Sequence, residues 1–168
     1  TYGSGICLSR AFIFTYLCKD GTPFTDKPKY KATNFIDEFT DRDERLAQTV
    51  ISPKYQMNGG NWKNRRPDIV GGAAISGYQI IKFSEDCTSK NGQANNENSL
   101  PVFRYAEVLL NYAEAKAELG EITDYDWSIT IGDIRRRAGI DDNPGVTSSL
   151  PTTVDKYLQE TFYPTVSD

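Results

Sequence analysis

"SLPVFRYAEVLLNYAEAKAELG", Ser99 to Gly120, is an amphipathic run rich in alanine, tyrosine and glutamate, and its rhythm decides the fold class. At about 100° per residue, Ala106, Leu109, Leu110, Ala113 and Ala117 share one stripe of a helix, while Tyr105, Val108, Tyr112, Ala115 and Leu119 share another, almost opposite. Only a narrow strip between them is polar, carrying Arg104, Glu107, Asn111, Glu114 and Glu118. This spacing predicts a helix over Phe103 to Leu119 that packs on two sides and meets solvent along one edge, as an inner helix of a layered helical array does. Arg104 and Glu107, three apart, are expected to pair on that edge. If no further helix covers the Tyr105–Val108–Tyr112–Leu119 stripe, the chain is expected to self-associate or to fold its own N-terminal segment over it.

Working outward, Gly120 supplies a left-handed helix stop, and Asp124 or Asp126 is the expected next N-cap. In "DWSITIGDIRRRAGI", Asp126 to Ile140, the residues Trp127, Ile131, Ile134 and Ala138 fall within an arc of about 60°, the mark of a helix with one buried side. The short connection forces the two helices into an antiparallel hairpin of about 36 residues, close to the ~34-residue tetratricopeptide period. Gly139 ends the second helix, "DDNPG" turns, and Val154 to Glu160 begins a third.

Upstream the pattern is less regular. "ICLSRAFIFTYLC" predicts a helix over Leu8 to Leu17, stopped by Gly21 and Pro23. "DRDERLAQTVIS" predicts a short helical turn around Arg45 and Leu46 that runs into a strand at Thr49 to Ile51, and the alternating charges of Arg42, Asp43 and Arg45 are expected to tie this turn to another part of the chain. The glycine pairs and asparagines between Ser52 and Gly77 predict a long loop, "GYQIIKF" a strand, and "SEDCTSKNGQANNENS" a polar excursion. The fold class is therefore mainly α: a tetratricopeptide-like helical hairpin of the α-α superhelix type, with long irregular loops and minor β. Residues 1–98 read as an irregular region with one helix and a long loop, 99–140 as the hairpin, and 141–168 as the truncated start of a further region. The chain opens on Thr1, its single methionine is Met57, and it stops just past a starting helix, so it reads as an excised piece of a longer protein.

Composition removes several functions. The 168 residues carry a net charge of −4, which is wrong for a nucleic-acid surface. No apolar run is long enough to span a bilayer. Cys7, Cys18 and Cys87 are odd in number and lack any C-x-x-C spacing, so they encode neither a disulfide framework nor a zinc site. With no histidine, the chain lacks the commonest general base and metal ligand, and no cofactor is implied. "GAAISG" does not fit a nucleophile elbow, and no phosphate-binding glycine loop occurs. Glu107, Glu114 and Glu118 lie on one helix face without the histidines of a carboxylate-bridged metal site, and read as solvated charge. Arg135, Arg136 and Arg137 occupy the last helical turn, where cations meet the negative end of the dipole; at least one is expected to bridge to an acidic neighbour rather than bind a ligand.

"YQMNGGNWKNRR", Tyr55 to Arg66, is different in kind. Tyr55 and Trp62 offer ring faces, and Asn58, Asn61 and Arg65 offer hydrogen bonds, which are the parts that hold a sugar: a face for stacking and polar groups for hydroxyls. The competing reading makes Trp62 an anchor that fixes the loop to the core.

"LPVFRYAEVLLNYAEAKAELG" followed by "IRRRAGI", Ile134 to Ile140, resembles the hallmark of the SusD/RagB family of Bacteroidetes outer-membrane nutrient-binding lipoproteins. "YLCKDGTPFTD", Tyr16 to Asp26, and "DRDERL", Asp41 to Leu46, are similar to that family's middle region. The resemblance implies a tetratricopeptide-containing scaffold, a surface-exposed lipid-anchored protein, no catalysis, and capture of a glycan for a SusC-like TonB-dependent transporter. Contact with the membrane would run only through a lipid anchor, for which Cys7 has no apolar leader. The hallmark helix is scaffold in the family, so Arg104, Tyr105 and Glu107 are not carried over as ligand contacts. Two other functions stay open at the level of sequence: a structural or protein-interaction piece whose glycan site lies elsewhere, and a glycoside hydrolase using two of the many carboxylates.

Overall fold

The computed structural model describes residues 7–28, 30–56, 67, 74–82, 97–140 and 156–162. Among them the chain is mainly helical, with three isolated antiparallel bridges where a sheet would be: Cys7 with Gln79, Leu17 with Pro23, and Val50 with Ile80. It divides into two compact units, Thr1–Leu17 with Pro23–Leu100, and Cys18–Thr22 with Pro101–Asp168.

The first unit holds α1 (Arg10–Phe14), three 3₁₀ turns (Phe24–Asp26, Tyr30–Ala32 and Asp37–Phe39) and α2 (Glu44–Thr49). Ser9 caps α1 by accepting the Phe12 N–H at 3.2 Å. The helix is shorter than the Leu8–Leu17 that the sequence predicts, because after Phe14 the chain tightens into a turn, with Thr15 N–H on Phe12 O at 3.1 Å and Tyr16 N–H on Ile13 O at 3.4 Å, and side chains share the same carbonyls. Thr15 Oγ1 donates to Phe12 O at 2.7 Å. Arg42 Nη2 donates to Ile13 O and Tyr16 O at 2.8 and 2.9 Å, its Nε to Leu17 O at 3.4 Å, and its Nη1 to Glu38 O at 2.8 Å. The guanidinium also lies 3.9 Å from the centre of the Phe24 ring. Arg42 is therefore a buried cation solvated by main-chain carbonyls and a π face, which offsets the cost of removing its charge from water.

Glu38 is the second buried charge. Its Oε1 accepts from Arg10 Nε at 3.0 Å and Nη2 at 2.5 Å, and its Oε2 accepts from the Tyr78 hydroxyl. Burial first, and then this carboxylate, push the Tyr78 phenol above its ordinary 10. Asp43 caps α2 by accepting the Arg45 N–H at 2.9 Å, and its own N–H donates to Leu17 O at 2.9 Å. The sign alternation at Arg42, Asp43 and Arg45 thus does tie this turn to α1. The expected strands reduce to single bridges: Ile51 N–H donates to Gln79 O and Ile81 N–H to Thr49 O, both at 2.9 Å. Ile13, Leu46, Val50 and Ile51 form the apolar centre beneath them.

The second unit holds α3 (Tyr105–Glu118), α4 (Asp124–Trp127), a π turn (Ser128–Gly132), α5 (Asp133–Arg137) and α6 (Lys156–Phe162). Both arms of the expected hairpin end in the same way. Gly120 at φ 68° lets its N–H reach Ala117 O and the Glu121 N–H reach Lys116 O, each at 2.9 Å. Gly139 at φ 71° repeats this, its N–H on Arg136 O at 3.0 Å and that of Ile140 on Arg135 O at 3.1 Å. These are Schellman closures, and each needs the left-handed conformation that glycine adopts without steric cost.

Four details differ from the sequence reading. The N-cap is Thr123, not Asp124 or Asp126; Asp126 is its capping-box partner, accepting the Thr123 N–H at 3.0 Å. The second helix is broken by the π turn, whose i→i+5 bonds insert one residue and rotate the buried face by about 100°. Ala138 is buried as the stripe predicts, but Thr130 is buried where Ile131 was expected, Trp127, Ile131 and Ile134 are half-buried, and Asp126 is buried as well. On α3 the packed stripe is narrower than predicted. Ala113 is buried and Ala106 and Leu109 half-buried, but Leu110 and the whole stripe of Tyr105, Val108, Tyr112 and Leu119 stay exposed. The expected Arg104–Glu107 pair does not form among the described residues; Arg136 instead pairs with Asp133, as expected of the arginine run.

Candidate functional site

The loop that the sequence marks for sugar binding springs from the buried stem of the first unit. One side of the stem is Val50 and Ile51 and the other Tyr78 to Ile81, all buried or half-buried and bonded across. Tyr55, near the loop's start, is half-buried, and its N–H donates to Ser52 O at 3.0 Å in a turn. Asn58, Asn61, Trp62 and Arg65 lie outside the described residues. At the other end Ser76 Oγ donates to Leu8 O at 2.7 Å, and Cys7, whose thiol is held below its ordinary range by hydrogen bonding to Ser76, bridges Gln79. The two ends of the loop are therefore bonded to each other, and the second also to Cys7 and Leu8.

The carboxylates of the first unit's core are already committed. Glu38 neutralises Arg10, Asp43 pairs with Arg45, and the side-chain bond from Asp43 is the main cause holding the Arg45 guanidinium above its ordinary value. Among the described residues no cluster of histidine, cysteine, aspartate or glutamate has the arrangement of a metal site. Cys7 and Cys18 are not in a disulfide, and Cys87 lies outside the described residues.

A second candidate, not anticipated from the sequence, lies within the hairpin. An open cleft of about 440 Å3 runs between the N-terminal turn of α3 and α5. Its floor is Ala106, Leu109 and Ile134, and its rim is Arg104, Tyr105, Asp133 and Arg137. This pairing of the start of α3 with the end of α5 follows from the antiparallel hairpin, which is locked further along by the Tyr112 hydroxyl donating to Asp126 Oδ1 at 2.7 Å. Asp126 also accepts from Thr123 Oγ1 at 2.6 Å; these bonds, Thr123 first, hold its carboxyl down at about 2. Arg104 and Arg137 make no ion pair among the described residues, whereas Asp133 Oδ1 accepts from Arg136 Nη2. Arg104 stands in the N-cap position of α3, where it supplies no acceptor to the first-turn N–H groups. That was the legible signal: an arginine where an N-cap serine or aspartate is expected.

The fold and these two places define a mainly helical chain built to present loops and clefts, in which no described helix is long and apolar enough to cross a membrane. Residues 2–161 match the model of the SusD family, and the chain belongs to that family. No curated protein and no solved structure matches it.

Proposed function

We propose that this chain is the glycan-capturing part of a non-catalytic nutrient-binding protein, held at the outer-membrane surface by a lipid anchor, that passes carbohydrate to a SusC-like TonB-dependent transporter. The observation that carries the reading is the SusD-family match, which runs through both compact units instead of through one motif. The hairpin is then one tetratricopeptide-like repeat of an α-α superhelix, with residues 1–98 supplying the binding loop and 141–168 leading into the remainder. In the loop, Trp62 and Tyr55 stack on the C–H face of a pyranose while Asn58, Asn61 and Arg65 bond its hydroxyls. At about 25 cal/mol per Å2, a ring-sized contact contributes on the order of 1–2 kcal/mol, so a single site binds weakly and retention of a polymer needs several.

Affinity electrophoresis of the chain through gels containing different polysaccharides tests this. One polysaccharide is expected to retard it, and Trp62→Ala to weaken that retention about tenfold, equivalent to ~1.4 kcal/mol, with circular dichroism and melting temperature nearly unchanged. A mutant that binds normally but melts much earlier would make Trp62 a core anchor.

A second reading is favoured by the exposed apolar side chains Leu100, Val102, Phe103, Tyr105, Val108 and Leu119 on and before α3. On that reading the chain is a protein-contact framework of the uptake complex and the glycan is held elsewhere. Absence of retardation in every gel would favour it, and release of reducing ends from a polysaccharide would overturn both.

A further inference from the structure

The cleft between α3 and α5 brings two guanidiniums, an exposed aromatic ring and apolar side chains together. Two guanidiniums, Arg104 and Arg137, stand on its rim with no ion pair among the described residues. Arg104 places its cation at the positive end of a 14-residue helix whose first turn receives no side-chain cap. An arginine there opposes the helix dipole instead of complementing it, and an anion at that place is favoured by both. The 75% exposed ring of Tyr105 stands beside them over the apolar floor. Asp133, with Oδ1 held by Arg136, keeps its second carboxylate oxygen for other donors.

We propose that this cleft is a binding site for an acidic sugar, a hexuronate residue of a glycan chain. The uronate carboxylate lies between Arg104 and Arg137, the pyranose ring covers Tyr105 and the floor of Ala106, Leu109 and Ile134, and ring hydroxyls donate to Asp133. The inference rests on the reading that the chain captures carbohydrate, and goes beyond it by naming the sugar class and a site separate from the Tyr55–Arg66 loop. Each group has one use here: the guanidiniums match a carboxylate's paired oxygens, and a lone acidic acceptor suits hydroxyls. An acidic peptide fits less well, because it brings no ring to cover Tyr105 and the apolar floor and no hydroxyls to donate to Asp133. The volume of about 440 Å3 lies in the range of small-ligand sites and accommodates a sugar unit rather than a folded partner.

The test is calorimetric titration of the 168-residue chain with a galacturonate tetramer, its fully methyl-esterified form, and a tetraglutamate peptide. The acid tetramer is expected to bind, the ester at least about tenfold more weakly, and added salt to weaken the first but not the second. Arg137→Gln and Arg104→Gln should each cost about tenfold for the acid form. Both arginines are exposed, so circular dichroism of the variants should match the parent. Equal binding of acid and ester, insensitivity to Arg137→Gln, or tetraglutamate binding as well as the uronate would each overturn the proposal. If the uronate fails to bind while a neutral polysaccharide still retards the chain through Trp62, the proposal falls and glycan capture stands. If no glycan of either kind binds, both fall.

Discussion

The two units are held together by different means, and the contrast shows what makes a fold readable. In the first, the decisive contacts join residues 25 to 40 positions apart: Arg42 to the carbonyls of Ile13, Tyr16 and Leu17, Arg10 to Glu38, and Tyr78 to Glu38. Its helices are five and six residues long, too short to stand on propensity. In the hairpin, the decisive contacts are local. Gly120, Gly139 and the Thr123–Asp126 capping box close each helix within five residues, and a longer tie, Tyr112 to Asp126, spans 14. The first unit is organised by buried charges, the second by helical periodicity and end signals.

The largest test of this contrast is Arg42→Met. Removing the guanidinium takes a charged donor from four buried or part-buried carbonyls, and with each charged hydrogen bond contributing about 1.5–3 kcal/mol the loss should be roughly 4 kcal/mol or more. Amide exchange should accelerate at Ile13, Leu46 and Val50 while Ala113 and Ala138 keep their protection. A shared loss across both units would erase the distinction drawn here, and an unchanged urea midpoint would refute the role given to Arg42.

A smaller effect is expected in the hairpin. Thr123→Ala removes a side-chain cap and should cost about 1 kcal/mol, read as a lowered urea midpoint, with α3 intact by circular dichroism. The smallest is a pH effect at the same place. The Asp126 carboxyl is held at about 2 against an ordinary 3.8. Its stabilisation is therefore complete above about pH 4 and fades as the pH falls through about 2. Asp126→Asn should remove that part of the acid sensitivity, so that parent and mutant melting temperatures converge as the pH approaches 2. Parallel curves from pH 5 to 2 would mean the capping box is not the acid-sensitive element.

The hairpin was legible because its signals are short. An apolar rhythm, a glycine after the last turn and a threonine before the next one are all written within a few residues. Even there the sequence misled where a local choice depended on packing. The Trp127–Ile131–Ile134–Ala138 stripe is sound for a regular helix, but the π turn at Ser128–Gly132 rotates it and buries Thr130, whose hydroxyl bonds Asp126 O at 2.5 Å. Leu110 was read as part of the packed stripe, yet it is 48% exposed, because α3 packs on the π turn along one narrow line. Of the loop residues Tyr55, Asn58, Asn61, Trp62 and Arg65, chemistry alone suggested a sugar platform, and only Tyr55 is among those the structure describes.

By itself the sequence determined the helical class, the hairpin with its two glycine stops, and the family, since each rests on residue types at fixed short spacings. Only the tertiary structure decided that Arg42 and Glu38 are buried partners rather than surface charges, and that Arg104 and Arg137 face a common cleft. The physical reason is the same in each case. A charge carries no mark of its surroundings; whether it is solvated, neutralised or left waiting for a ligand is set by which distant carbonyls, rings and ions the folded chain brings to it.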